Sequence, residues 1–155
     1  MKVMATIARG VVATTLMAAA FAAGAPGAAH AARSDCERGA NGFVDISERQ
    51  SGATKGTVEL RPWAANKGWV HLAVAKINGQ QRGFAAIVGQ EPGDEFWMDW
   101  TTNNGGSWVQ CGPFVAPDHH PHTTAAKETN SSPNWRFRAC GSRWDSNDVV
   151  CTGWW

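Results

Sequence analysis

The sequence predicts an all-β fold, a disulfide-stabilised antiparallel β-sandwich or small barrel of about seven or eight strands. Three observations carry that prediction. Apolar and polar residues alternate over short runs, with turn signals between the runs at close intervals. Long helical periodicities are scarce after Ala32, and no repeat of propeller or solenoid length appears. Four cysteines, Cys36, Cys111, Cys140 and Cys151, all follow a segment that reads as an export signal.

That segment is residues 1–31. Lys2 and Arg9 make a positive start, and Val11 to Ala23 is an almost unbroken apolar run. Ala29-His30-Ala31 then supplies the small-x-small pattern of a signal-peptidase site. The apolar run is too short to span a bilayer as a helix. The expected product is therefore a secreted, extracellular chain of residues 32–155, one domain of ordinary size.

The strands follow in order. Lys55 to Leu60 reads as one, and Gly68 to Ile77 as the next. In the latter, Val70, Leu72 and Val74 share one face, and Trp69, His71, Ala73 and Ala75 share the other. Asn78-Gly79 is the strongest two-residue hairpin signal, with Gly83 to Val88 as the return strand. Asp94 to Trp100 and Ser107 to Cys111 form the next pair. Pro113 to Pro133 is polar and proline-punctuated, which predicts a long loop with a short edge strand around His122 to Ala126. Trp135, Phe137 and Ala139 alternate with Arg136 and Arg138 in a late strand, and Asp148 to Thr152 is the last. Asp35 to Gly42 fits a turn or short helix.

Charge narrows the partners. Without Lys2 and Arg9 the chain holds 12 basic and 13 acidic residues. That balance argues against nucleic acid, which needs a basic surplus, and no basic stripe suggests a membrane surface. An even number of cysteines in an oxidising compartment reads as two disulfides, each contributing roughly 2–4 kcal/mol, more for the longer loop. Three pairings are possible and the sequence does not choose between them. A short local loop favours Cys140–Cys151, which leaves Cys36–Cys111 to tie the N-terminus to the middle. No cysteine pair has the close spacing of a zinc site.

Thr101-Thr102-Asn103-Asn104-Gly105-Gly106-Ser107-Trp108 matches the Asp-box pattern S/T-x-D/N-x-G-x-S/T-W, with Thr101, Asn103, Gly105, Ser107 and Trp108 at its defined positions. Asn103 stands where Asp is usual. The stretch resembles the hairpins of sialidases, other secreted glycan-active proteins and microbial ribonucleases, in which it is a structural clasp usually remote from the active site. Asn103 can bond to turn amides, and the glycines tolerate positive φ. A wider likeness runs from Gly89 to Trp154, through Gly93-Asp94-Glu95-Phe96-Trp97-Met98-Asp99-Trp100, the Asp-box stretch, Arg138-Ala139-Cys140-Gly141 and Cys151-Thr152-Gly153-Trp154. That succession resembles small secreted β-rich modules of high-GC Gram-positive bacteria, found alone or attached to secreted glycoside hydrolases. The resemblance implies a β-rich fold, Cys140–Cys151 as the shared bridge and Cys36–Cys111 as an addition.

Nine tryptophans and no tyrosine are the compositional anomaly. Some must fill the core; others can form a sugar-stacking platform, because indole faces pack against the C–H faces of pyranose rings. The candidates are Trp97, Trp100, Trp154 and Trp155, the first two on opposite faces of one strand. His119, His120 and His122 form the one histidine cluster, a candidate for adventitious divalent metal, although Pro121 spreads the rings; no resident cofactor is expected. Glu59, Asp94, Glu95 and Asp99 with His71, and Arg82 or Arg136, supply residue types for a hydrolase, but serine nucleophile elbows and His-Glu-x-x-His are absent. The expected function is thus a non-catalytic secreted module for polysaccharide or cell-wall glycan. Two other classes fit less of the sequence. One is an extracellular protein-binding effector, such as a hydrolase or protease inhibitor, presenting the Pro113–Pro133 loop; the other is a small secreted hydrolase.

Overall fold

The computed structural model describes residues 32–155. The expected signal peptide, residues 1–31, lies outside the described residues. Ten strands follow two 3-10 turns (Arg33–Asp35 and Glu37–Gly42): β1 (Phe43–Val44), β2 (Ala53–Glu59), β3 (Trp69–Ile77), β4 (Gln80–Val88), β5 (Glu95–Thr101), β6 (Val109–Val115), β7 (His122–Thr123), β8 (Ala126–Glu128), β9 (Arg136–Ser142) and β10 (Val149–Cys151). The extra strands beyond the seven or eight expected are short. β1 was not anticipated, and the single edge strand around His122 is two pieces, β7 and β8. Two- and three-residue strands carry no alternation long enough to read in a sequence.

The strands form two antiparallel sheets. One has the order β1-β8-β4-β3-β2, with β7 also on β4, and the other β10-β9-β5-β6. The β3–β4 hairpin turns at Asn78 and Gly79, both at positive φ (52° and 80°), as a tight two-residue turn requires. It pairs in continuous register from Trp69 with Val88 to Ile77 with Gln80. Val70, Leu72, Ala85 and Ile87 face inward against Phe96, Met98, Phe137 and Ala139 of the other sheet, all buried. Period-2 alternation on both sheets thus makes the sandwich core.

The outer face of the larger sheet carries a second apolar layer. Phe84, Ala73 and Ala126 are buried there, with Val44 and Ile46 packed against them. The segment between β1 and β2 therefore folds back over this sheet. Its position explains why β4 reads as nearly continuous apolar sequence rather than as an alternating strand.

Two disulfides close the structure. Cys140 and Cys151 are register partners on β9 and β10, with Cα atoms 4.0 Å apart. Cys36–Cys111 joins the N-terminal turns to β6, across a sequence separation of 75.

Candidate functional site

The four-stranded sheet presents its outer face through the alternate residues of its strands. On β5 these are Glu95, Trp97, Asp99 and Thr101, since Phe96 and Met98 occupy the core. Their partners on β9 are Ser142, Cys140, Arg138 and Arg136 in that order. On the other flank, Gly112 and Pro113 of β6 lie between the residues that pair with Phe96 and Met98, so two residues oppose Trp97 alone. This is a β-bulge. Gly112 sits there at φ 126°, where a Cβ would come within 2.7 Å of the Trp97 Cβ, so only glycine fits.

A cleft of about 400 Å³ opens on this face. Trp97, 8 % exposed, forms an apolar wall, and Trp144, 64 % exposed, stands beside it. Glu95, Gln110, Ser142 and Asn147 bring polar groups to the rim. Its Trp144 side is held by a buried ion pair. Both carboxylate oxygens of Asp94 accept from Arg61 Nη2, and they also accept the backbone amides of Glu91 (2.9 Å, to Oδ2) and Trp144 (3.2 Å, to Oδ1). Arg143 lines the cleft as well, and its guanidinium lies 5.2 Å from the ring centre of Trp63, which is 70 % exposed. Arg143 also pairs with Asp145.

At the other end of the face Arg138 donates from Nε to Asp99 Oδ2 at 2.7 Å. Asp99 is buried; burial pushes its carboxyl pKa up, against the hydrogen bond and charge of Arg138, which lower it. The Arg138 guanidinium carbon lies 4.9 Å from the Trp108 ring centre and 4.6 Å from that of Trp154. Those rings are themselves 6.3 Å apart and nearly edge-on, so the guanidinium sits in the corner between them. The Thr101–Trp108 turn presents Trp108 to this corner. Within it, Asn103 Oδ1 accepts the Ser107 amide (2.9 Å), Asn103 Nδ2 donates to Ser107 Oγ (2.9 Å), and Thr101 Oγ1 accepts the amides of Asn103 and Gly105 (both 3.2 Å).

The four tryptophans expected to share a platform are divided by the sheet. Trp97 is on the outer face but buried. Trp100 points inward, edge-on to Phe43 and Trp135, with Lys127 Nζ 4.3 Å from its ring centre. Trp154 lies at the Arg138 corner. Trp155, 40 % exposed, packs beside Phe137 at the sheet edge with Lys55 over it. Consecutive residues of an extended chain face opposite ways, which separates Trp154 from Trp155. Beyond those four, the site includes Trp144, another of the nine tryptophans, with Arg143 in the cleft and Arg138 beside it. Trp144 had one legible signal, a tryptophan among polar turn residues with no alternating apolar partners.

The histidine cluster does not converge as a metal site. His119 Nδ1 is 3.0 Å from the Gln90 carbonyl, whereas His122 Nε2 is 3.0 Å from Asp118 Oδ1. Buried Gln90 donates to the carbonyls of Asp118 and His120, and the chain bends through these residues, so that His120 Nδ1 (3.3 Å) and His122 Nε2 (3.0 Å) face the Asp118 carboxylate while His119 turns to Gln90. Among the described residues no group of three His, Cys, Asp or Glu side chains is placed to hold a metal ion.

The carboxylates considered for hydrolysis are each tied to a separate partner. Glu59 pairs with Lys67 (3.2 Å), Asp94 with Arg61, Asp99 with Arg138, and Glu95 accepts from Ser142 Oγ (3.3 Å). Glu95 and Asp99 share a face four residues apart, about 13 Å along a strand, beyond the roughly 5–9.5 Å of glycosidase carboxylate pairs. His71 is on the other sheet, bonded to Thr57 Oγ1 at 2.9 Å. Arg82 is buried on β4, and Arg136 donates from Nε to the Pro133 carbonyl.

No protein-family model, no curated protein and no solved structure matches this chain. Its class is accordingly defined by its architecture, a disulfide-tied all-β fold of two antiparallel sheets with a tryptophan-walled cleft on one outer face.

Proposed function

We propose that the protein is a secreted, non-catalytic module that binds extracellular polysaccharide or cell-wall glycan. The observation that carries this reading is the cleft between Trp97 and Trp144. It combines an indole wall, an exposed second indole and a few polar groups that neither cluster nor carry a reacting pair. Such a site suits a sugar ring, which has an apolar C–H face and a polar hydroxyl rim. Its volume lies within the usual range for small-ligand sites. Export belongs to the same reading. It is supported by the charged and apolar start of the chain, by the two disulfides, and by the lack of any helix among the described residues long and apolar enough to cross a membrane. The Asp-box likeness of Thr101–Trp108 agrees with a glycan setting and assigns that turn a structural role.

The test is depletion of the oxidised protein from solution by insoluble chitin, cellulose and peptidoglycan, with intrinsic fluorescence followed against soluble fragments. At least one polymer is expected to deplete it saturably, and Trp144→Ala to weaken that binding by about tenfold, the scale of one lost aromatic contact. Absence of depletion by every polymer overturns the reading. Unchanged affinity in Trp144→Ala removes the cleft from it.

A further inference from the structure

We infer that Arg138 is a subsite for a carboxylate-bearing sugar unit, lying next to the Trp97–Trp144 cleft on the same sheet face. This rests on the glycan reading above and specifies the class of polymer it implies: one with an acidic sugar adjacent to an uncharged one.

The argument starts from how Arg138 is held. A free arginine side chain must lose much rotamer freedom before it can bind a ligand. Here that ordering is already done within the fold. Two indoles cradle the guanidinium, and Asp99 engages Nε from below the face. Asp99 is fully buried, so an approaching anion meets the guanidinium before it meets the carboxylate. The terminal nitrogens donate no hydrogen bond within the described chain, while the side chain keeps 24 % of its surface exposed. The Nη1–Nη2 edge is thus left for a ligand. A planar fork of two N–H donors matches the two oxygens of a carboxylate, a match that a lysine ammonium lacks.

Position supplies the second half. Arg138 is two residues along β9 from Cys140, the register partner of Trp97, a step of about 7 Å. Gln110, which lines the cleft, is the partner of Asp99 on the opposite flank. A glycan seated against Trp97 therefore meets Arg138 at its next unit. Trp108, 46 % exposed, offers that unit an indole face beside the fork. At the Trp144 end the cleft carries Glu95 and Arg143, and because the Arg143 guanidinium is already paired with Asp145, Glu95 is the unpaired charge that disfavours a second carboxylate there. Charge complementarity hence selects an acidic sugar at Arg138 and a neutral one in the cleft.

The test uses oligosaccharides of hyaluronan and of polygalacturonate, each compared with its carboxyl-reduced form by titration of tryptophan fluorescence. At least one acidic form is expected to bind about tenfold more tightly than its reduced counterpart, as one charge-assisted bidentate contact predicts. Asp99→Asn/Arg138→Met, which removes both charges together, abolishes that preference, so that acidic and reduced forms bind with equal affinity. Arg138→Lys, which keeps the charge and the buried pair, loses most of it. Equal affinity for acidic and reduced forms overturns the subsite, and so does a preference that survives in both variants. Failure of all four soluble ligands, while an insoluble polymer still depletes the protein, overturns the subsite and leaves the glycan reading standing. Failure of every polymer and oligosaccharide overturns both.

Discussion

Arg61 and Asp94 form a buried ion pair, 33 residues apart in sequence, that fixes the loop carrying Trp144. Neither side chain reaches solvent appreciably, and the Asp94 carboxylate also takes two backbone amides. The pair therefore links the β2–β3 connection, the turn before β5 and the loop after β9 at one point.

Breaking that pair by one partner leaves a buried charge alone. Asp94→Asn is expected to cost about 3–5 kcal/mol, read as a lowered urea midpoint, and to change Trp144 fluorescence. Arg61→Met/Asp94→Asn recovers part of the loss, because it removes the uncompensated guanidinium. Recovery stays partial, since the amides of Glu91 and Trp144 keep a weaker acceptor. An Asp94→Asn midpoint equal to that of the parent protein contradicts this role.

The two disulfides differ in the chain they close. Sequence separations of 75 and 11 give loop-closure contributions of about 4.5 kcal/mol for Cys36–Cys111 and about 3 kcal/mol for Cys140–Cys151. Paired Cys→Ala variants, compared by denaturant unfolding, are expected to rank in that order. The reverse order means that native contacts around Cys140, rather than closure of the unfolded chain, dominate.

His71 gives a pH signature. Partial burial holds its imidazole pKa below the ordinary 6.5. The unfolded chain then binds a proton more readily than the native one, so stability falls as pH drops below 6.5 and levels off below the native pKa. His71→Gln is expected to flatten the Tm-against-pH profile between pH 7 and 5. A slope unchanged by the substitution assigns the effect to other groups.

Asp118 acts in the acid range with its own sign. The backbone amide of His120, then the His122 ring, hold its carboxyl down to about 2. Its contribution is present above the unfolded pKa near 3.8 and is lost as pH falls towards 2. Asp118→Asn is expected to reduce acid sensitivity in that window only, as followed by circular dichroism.

The Thr101–Trp108 turn depends on one amide side chain. Asn103→Ala removes the acceptor for the Ser107 amide and the donor to Ser107 Oγ, with an expected cost of about 1–2 kcal/mol. Asn103→Asp keeps the acceptor and is expected to cost much less in the same urea titration. Equal losses in the two variants mean that the turn is held by Thr101 instead.

Strand identity was legible wherever alternation ran long enough. Period-2 alternation alone puts Val70, Leu72 and Val74 on one face, where all three are buried, and the Asn78-Gly79 turn sets the register of the hairpin around them. The layer over Phe84 was not legible, because burial on the second face depends on a segment distant in sequence folding back across the sheet. The histidines illustrate the converse. Nearness in sequence suggested a shared metal, and the bend at Asp118–His120 instead turns His119 to the Gln90 carbonyl and His120 and His122 to the Asp118 carboxylate.

The sequence by itself determined a β-rich chain and its main strands, because alternation and turn chemistry are local properties. Tertiary structure decided which of the nine tryptophans meet solvent. Trp100 and Trp144 are chemically identical, and only packing distinguishes them: one faces Phe43 across the core, the other stands on a loop pinned by Asp94. Exposure is a property of the whole fold, since it depends on what else arrives at the same place.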